Sequence, residues 1–232
     1  MRFLDHSEMG RGLAEHVAKL APARPVVLAI PPGGVRIAWE IARRLSAPLD
    51  VLLVSEVVVP QACRCRVGCA VDGHFYPDRS SGKFQQLAEE YAEVLVAAEL
   101  GGQQQRDRAL RHGVPPVDLA DRTAVLVSDG SPDLVALEGA VRAIRDRKAK
   151  EIIYAAPVAM SGMIDLVGTR ARIVTLFRPD EYRSVMLVNS DYKQTTDDEI
   201  SQLIAQSRIS GLPVPQGGQG GVLVRRSLQA TS

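Results

Sequence analysis

Apolar residues fall in short blocks whose spacing alternates between a helical period and short continuous runs. Asp5 and Glu8 stand at capping-box separation ahead of Met9, Leu13, Val17 and Leu20, so the chain opens with a helix. Val26 to Ile30 is a continuous, β-branched run after Pro25 and predicts a fully buried strand. Pro31-Pro32-Gly33-Gly34 ends it, and Val35 to Leu45 follows as a helix with Ile37, Ala38, Ile41 and Ala42 on one face. Leu49 to Val59 predicts a second strand, closed by Pro60 and a loop rich in cysteine. Val67 to Val71 and His74 to Tyr76 flank Asp72-Gly73, a two-residue hairpin signal. Lys83 to Arg111 has a helical pattern that Gly101-Gly102 is expected to interrupt.

Beyond that helix, Thr123 to Val127 predicts a buried strand, followed by a polar loop and a helix carrying Leu134, Leu137, Val141 and Ile144. Ile152 to Ala156 and Ile173 to Leu176 predict two more strands, with a short helix near Met160 to Val167 between them. Thr196 and Glu199 form a second capping box before Ile200, Leu203 and Ile204. From Gly211 the chain is rich in Gly, Pro and Gln, so residues 1–210 read as one domain and 211–232 as a flexible tail. Val222 to Arg226 in that tail is either disordered or a strand for a protein partner. Strands alternating with helices imply right-handed crossovers and a mostly parallel sheet covered on both faces. Ligands in such sheets bind beyond the carboxyl ends of the strands, which singles out loops 31–35 and 128–133.

Composition narrows the function classes. The net charge is +1 and aromatics make up 4% of residues, which argues against nucleic acid as a partner. No apolar block approaches the roughly 18 residues of a membrane span, and the N-terminus lacks a signal-peptide stretch. The expectation is a cytoplasmic protein without membrane contact. Three cysteines in such a chain do not make a disulfide framework.

Several residues carry candidate chemistry, each beside a plainer reading. Gly33, Gly34, Val35 and Arg36 at a helix start suit an anion, or form a strand-to-helix turn in which glycine supplies the dihedral angles. Asp129 suits a sugar hydroxyl or a metal-bound water, or caps the next helix. Ser128, Gly130, Ser131 and Asp133 share its loop. Cys63, Cys65 and Cys69 with His74 are either incidental or a metal or redox site, although the C-x-C-x3-C spacing matches no standard zinc signature. Trp39 reads as packing, and the charge run from Arg142 to Lys150 as a solvated helix end.

The order of these blocks resembles the type I phosphoribosyltransferases, in particular the bacterial subgroup called predicted phosphoribosyltransferases. The likeness runs from Arg2 to about Ala205. Ile30-Pro31-Pro32-Gly33-Gly34-Val35 resembles the subgroup's L-P-R-G-G-V. Pro48 to Val54 resembles the strand before its R-K pair, and Val67 to Gly73 its I-G-A-V segment. Ala124 to Gly130 resembles the strand entering D-D-G, and Asp191 to Asp197 the closing Y-x-D-F-x-x-x-x-D. The resemblance implies a Rossmann-like α/β fold with a small hood, a homodimer, and phosphoribosyl pyrophosphate with magnesium as ligand. It implies pyrophosphate on the first loop, ribose hydroxyls on the two acids, and the 5′-phosphate in a T-G-A-T nest at a helix N-terminus.

Departures from the family pattern fall on the chemistry. The loop arginine is Pro32, and the R-K pair is Ser55-Glu56. The flexible-loop glutamate aligns near Arg64. The first ribose acid is Ser128, leaving Asp129 as the retained acid. The nest is Asp133-Leu134-Val135-Ala136, which sets a carboxylate and a leucine side chain where backbone must approach phosphate. The resulting expectation is a catalytically degenerate family member, kept for a binding, regulatory or assembly role. The alternatives are an active transferase or hydrolase on a nucleotide or phosphosugar ligand, and a cysteine-based metal or redox site.

Overall fold

Asp5 accepts a hydrogen bond from the Glu8 backbone N–H at 2.7 Å and starts α1 (His6–Ala18), whose Leu13 and Val17 are wholly buried. In this computed structural model the described residues are 5–59, 65–78, 89–130, 134–159, 167–178 and 194–209. The short apolar runs become β1 (Val26–Ala29), β2 (Leu49–Val51), β6 (Thr123–Val127), β7 (Glu151–Val158) and β8 (Arg172–Phe177). These pair in the order β2-β1-β6-β7-β8, and every neighbour is parallel. The continuous apolar sequence of β1 and β6 follows from burial on both faces. On one face lie α1 and α2 (Gly34–Leu45), and on the other α4 (Leu134–Asp146), each covering its own apolar cluster. Trp39 packs against the first of these clusters, as its sequence position suggests.

The expected single strand from Leu49 to Val59 is two strands. β2 ends at Val51, and the chain re-forms as β3 (Val54–Val59) in a separate antiparallel sheet with β4 (Cys65–Val71) and β5 (His74–Pro77). The crossing is fixed at Leu53, whose N–H donates to the Asp72 carboxylate at 3.0 Å while its carbonyl accepts from the Asp72 N–H at 3.0 Å. Asp72 and Gly73 both take positive φ, 45° and 79°, as a two-residue hairpin turn requires. β3 pairs Val57 with Gly68 and Val58 with Arg66, so Val67 is an extra residue that bulges β4.

This small sheet is the hood, and α3 (Glu89–Arg111) packs on it through Leu95, Val96 and Leu100. The helix runs unbroken through Gly101 and Gly102, contrary to the expected interruption, because the packing of its inner face outweighs their weak propensity. Gln103 locks helix to hood. Its amide N–H2 group donates to Ser55 Oγ at 2.6 Å and the Ala70 carbonyl at 2.8 Å, and its oxygen accepts from the Gly73 N–H at 3.2 Å. The last described helix, α5 (Asp197–Ile209), begins with the expected capping box. Thr196 N–H donates to Glu199 Oε2 at 3.2 Å, and Glu199 N–H to Thr196 Oγ1 at 3.3 Å. Beneath α3 and α5, wholly buried Asp50 meets Arg111 at 2.9 Å and accepts from the Val117 N–H at 2.7 Å. The short helix expected near 160–167 falls mostly outside the described residues, and the tail from 211 wholly so.

Candidate functional site

Loops after β1 and β6 meet at the carboxyl end of the sheet, because those strands are neighbours with Val26 beside Ala124 and Ala29 beside Val127. Ile30 N–H donates to the Val127 carbonyl at 2.8 Å and extends the pairing into the loops. Gly33 has φ −70° and ψ −36°, an ordinary helical conformation. Its glycine therefore serves close approach and not the dihedral angles proposed from sequence. A Cβ on Gly33 would collide with the Asp129 carboxylate, and one on Gly34 would lie 2.6 Å from the Val127 carbonyl oxygen. Gly130 differs, with φ +96° and the Val158 carbonyl oxygen 2.8 Å from an added Cβ.

Each candidate residue has a definite place. Val35 is buried in the core beneath the loop. Arg36 pairs with Glu199 at 3.0 Å, so its charge is engaged by the α5 cap. Ser128 is buried; its hydroxyl lies 2.7 Å from the Tyr154 hydroxyl and accepts from the Gly130 N–H at 3.2 Å. Asp129 is half-buried against Gly33. Ser131 and Asp133 lie outside the described residues. Leu134, at the start of α4, is 39% exposed.

Two residues that sequence reasoning passed over belong here. His6, at the first turn of α1, is buried, and burial pushes its imidazole below the ordinary value of 6.5. The Asp129 and Asp5 carboxylates oppose that shift and the Arg36 guanidinium adds to it, which places His6 within electrostatic reach of both loops. Tyr154, wholly buried in β7, has its phenol pushed up by desolvation. Its signal in the sequence is a lone hydroxyl inside an apolar strand, which must find a buried partner.

The residues replacing the R-K pair serve the hood. Ser55 is held by Gln103, and Glu56 faces Arg66 at 3.7 Å. Of the cysteine cluster, Cys69 and His74 fall within the described residues. Cys69 is buried and its thiol donates to the Val135 carbonyl at 3.6 Å, under α4. His74 is exposed, with its Nδ1 lying 3.1 Å from the Asp72 carbonyl oxygen of its own turn. Cys63, Arg64 and the side chain of Cys65 lie outside the described residues. Among the described residues no three His, Cys, Asp or Glu side chains converge as a metal site. A cleft of about 690 Å³ opens at the opposite end of the sheet, along Leu20, Lys150, Glu151 and Arg172. Arg172 pairs there with Glu151 at 3.3 Å, and Arg170 with Glu138 at 2.9 Å.

No family model matches the chain. Two Mycobacterium tuberculosis proteins, "Putative phosphoribosyl transferase MT0597" and "Putative phosphoribosyl transferase Rv0571c", are each 30% identical over 200 residues. The match covers 85% of this chain and 45% of each relative, so the chain spans about half the length of those curated relatives. The crystal structure of TT1426 from Thermus thermophilus has a TM-score of 0.76 at 29% identity, over 89% of this chain and 99% of that one. The chain is a phosphoribosyltransferase-like protein.

In this phosphoribosyltransferase-like protein the loops after β1 and β6 meet at the carboxyl end of the sheet, and the hood packs on α4 through Cys69. The Rossmann-like expectation therefore holds for the scaffold: a parallel sheet, helices on both faces and a small antiparallel annex. Among the described residues no helix is long and apolar enough to cross a membrane.

Proposed function

We propose that this phosphoribosyltransferase-like chain is catalytically degenerate and retained for a binding, regulatory or assembly role. The observation that carries the reading is the Ser128 hydroxyl, which stands in the position of the first ribose acid and is turned inward, 2.7 Å from the buried Tyr154 hydroxyl, so that it offers no carboxylate to a ribose hydroxyl or to magnesium. Arg36, beside the first loop, is held by Glu199 at 3.0 Å. The described residues are thus a poor fit to phosphoribosyl pyrophosphate with magnesium, and no transfer step is assigned to them.

Titration calorimetry on the unmodified protein tests this. The expected result is no saturation by phosphoribosyl pyrophosphate with magnesium up to millimolar concentration, where a binding free energy of only about −4 kcal/mol would register. Micromolar, magnesium-dependent binding would overturn the reading and put an active transferase or hydrolase in its place.

A further inference from the structure

Strand β8 stands at one edge of the parallel sheet, and among the described residues it pairs with β7 alone. Alternate backbone N–H and C=O groups of β8 therefore face away from the sheet, a row with which another extended chain can pair. The cleft of about 690 Å³ runs beside this edge, lined by residues 168–174 and by Arg178, just past the strand. Five cations and one carboxylate line it, in a chain whose net charge is +1. The carboxylate is Glu151, which Arg172 meets at 3.3 Å in an exposed pair, and Arg170 is engaged by Glu138 at 2.9 Å. Arg145 donates to the Arg170 backbone carbonyl at 3.0 Å. Among the described residues neither Lys150 nor Arg178 pairs with a carboxylate.

We propose that this edge is where an acidic, extended segment of a partner protein docks, adding a strand beside β8. Two properties select the occupant. The open backbone row calls for an extended chain, and the surplus of cations calls for carboxylates along it. A second copy of β8 is excluded by its charge, because two such edges set arginine against arginine. The chain's own residues 211–232 are excluded on the same ground, since they carry Arg225 and Arg226 and no acid. The cations that turn away like strands are thus the groups that admit an acidic one. Leu20, Ile152 and Ile173 in the cleft wall offer contact to apolar side chains alternating with the carboxylates, and Phe177, 42% exposed, offers another at the far end of the strand. β7 separates β8 from β6 and β1, so the inference stands whether or not the loops after those two strands bind phosphoribosyl pyrophosphate.

Fluorescence anisotropy on the full chain tests the proposal, with a labelled peptide of alternating glutamate and valine and its lysine–valine counterpart as probes. The glutamate peptide should bind saturably, more weakly as salt rises, and the lysine peptide should not bind. Lys150→Glu with Arg178→Glu should weaken binding by roughly tenfold or more, with little change in the thermal melt because both side chains are exposed. N-methylation of alternate amides of the glutamate peptide separates strand addition from charge alone. Of the two methylated peptides, one in each register, one should lose binding and the other keep it. No binding of the glutamate peptide overturns the proposal, as does equal binding of the lysine peptide or indifference to the double charge reversal. Equal binding of the two methylated peptides overturns the strand addition.

Discussion

The Asp129 carboxylate lies where a side chain on Gly33 would begin. Two loops 96 positions apart in the sequence are therefore packed as one unit, and the glycine exists to admit its neighbour. Gly33→Ala should lower stability by about 1–3 kcal/mol, as overpacking does. In the Asp129→Ala background the same change should cost much less, because the colliding group is gone. Urea unfolding of the four proteins measures the coupling; equal costs in both backgrounds would refute the contact.

Ser128 and Tyr154 form a buried hydroxyl pair under the same loop. Ser128→Ala strands the Tyr154 hydroxyl and should cost about 1–3 kcal/mol, whereas Tyr154→Phe leaves Ser128 accepting from the Gly130 N–H and should cost less. The double variant should cost clearly less than the sum of the two, since both polar atoms are then absent. Additive costs would mean that the pair does not act as a pair.

A further test concerns the charge beneath α3. Asp50 and Arg111 are both buried, and Arg111→Met leaves the carboxylate with backbone donors and the more distant Arg208 at 3.6 Å. The expected loss is about 3–5 kcal/mol, the usual penalty for breaking a buried pair from one side. Asp50→Asn with Arg111→Met should recover part of it, read by chemical denaturation.

His6 supplies a pH signature. Its folded pKa lies below 6.5 because burial disfavours the imidazolium. Between that depressed value and 6.5 the unfolded chain binds more protons than the folded one, so stability falls as pH falls through this window. Above 6.5 the group contributes no slope. His6→Gln should flatten the decline in urea midpoint between neutral and mildly acidic pH. An unchanged slope in the variant would assign the acid sensitivity elsewhere.

Much of the scaffold was legible because burial on both faces forces continuous apolar runs, as in β1 and β6, and because the two capping boxes and Asp72-Gly73 act locally. What stayed hidden is set by partners distant in sequence. The run from Leu49 to Val59 gives no hint that it changes sheets at Leu53, since both halves are apolar and the switch depends on Asp72. Arg36 looked available as an anion ligand because Glu199, which holds it, comes much later in the chain. Gly33 was legible as a special position, but dihedral need and close approach leave the same letter in a sequence. His6 was overlooked because a histidine behind a helix cap carries no mark of what the fold will bring to it.

Gln103 changes how the hood is to be understood. One amide ties β3, β4 and the hairpin turn to the same helix, and Asp72 ties that turn to Leu53 and, at 3.0 Å, to Arg147. Swinging the small sheet outward would break several of these bonds together, at about 1 kcal/mol each, so open forms should be outnumbered a thousandfold or more by roughly 4 kcal/mol. The annex is thus a fixed wall, held as one piece with α3 and the Asp72 turn.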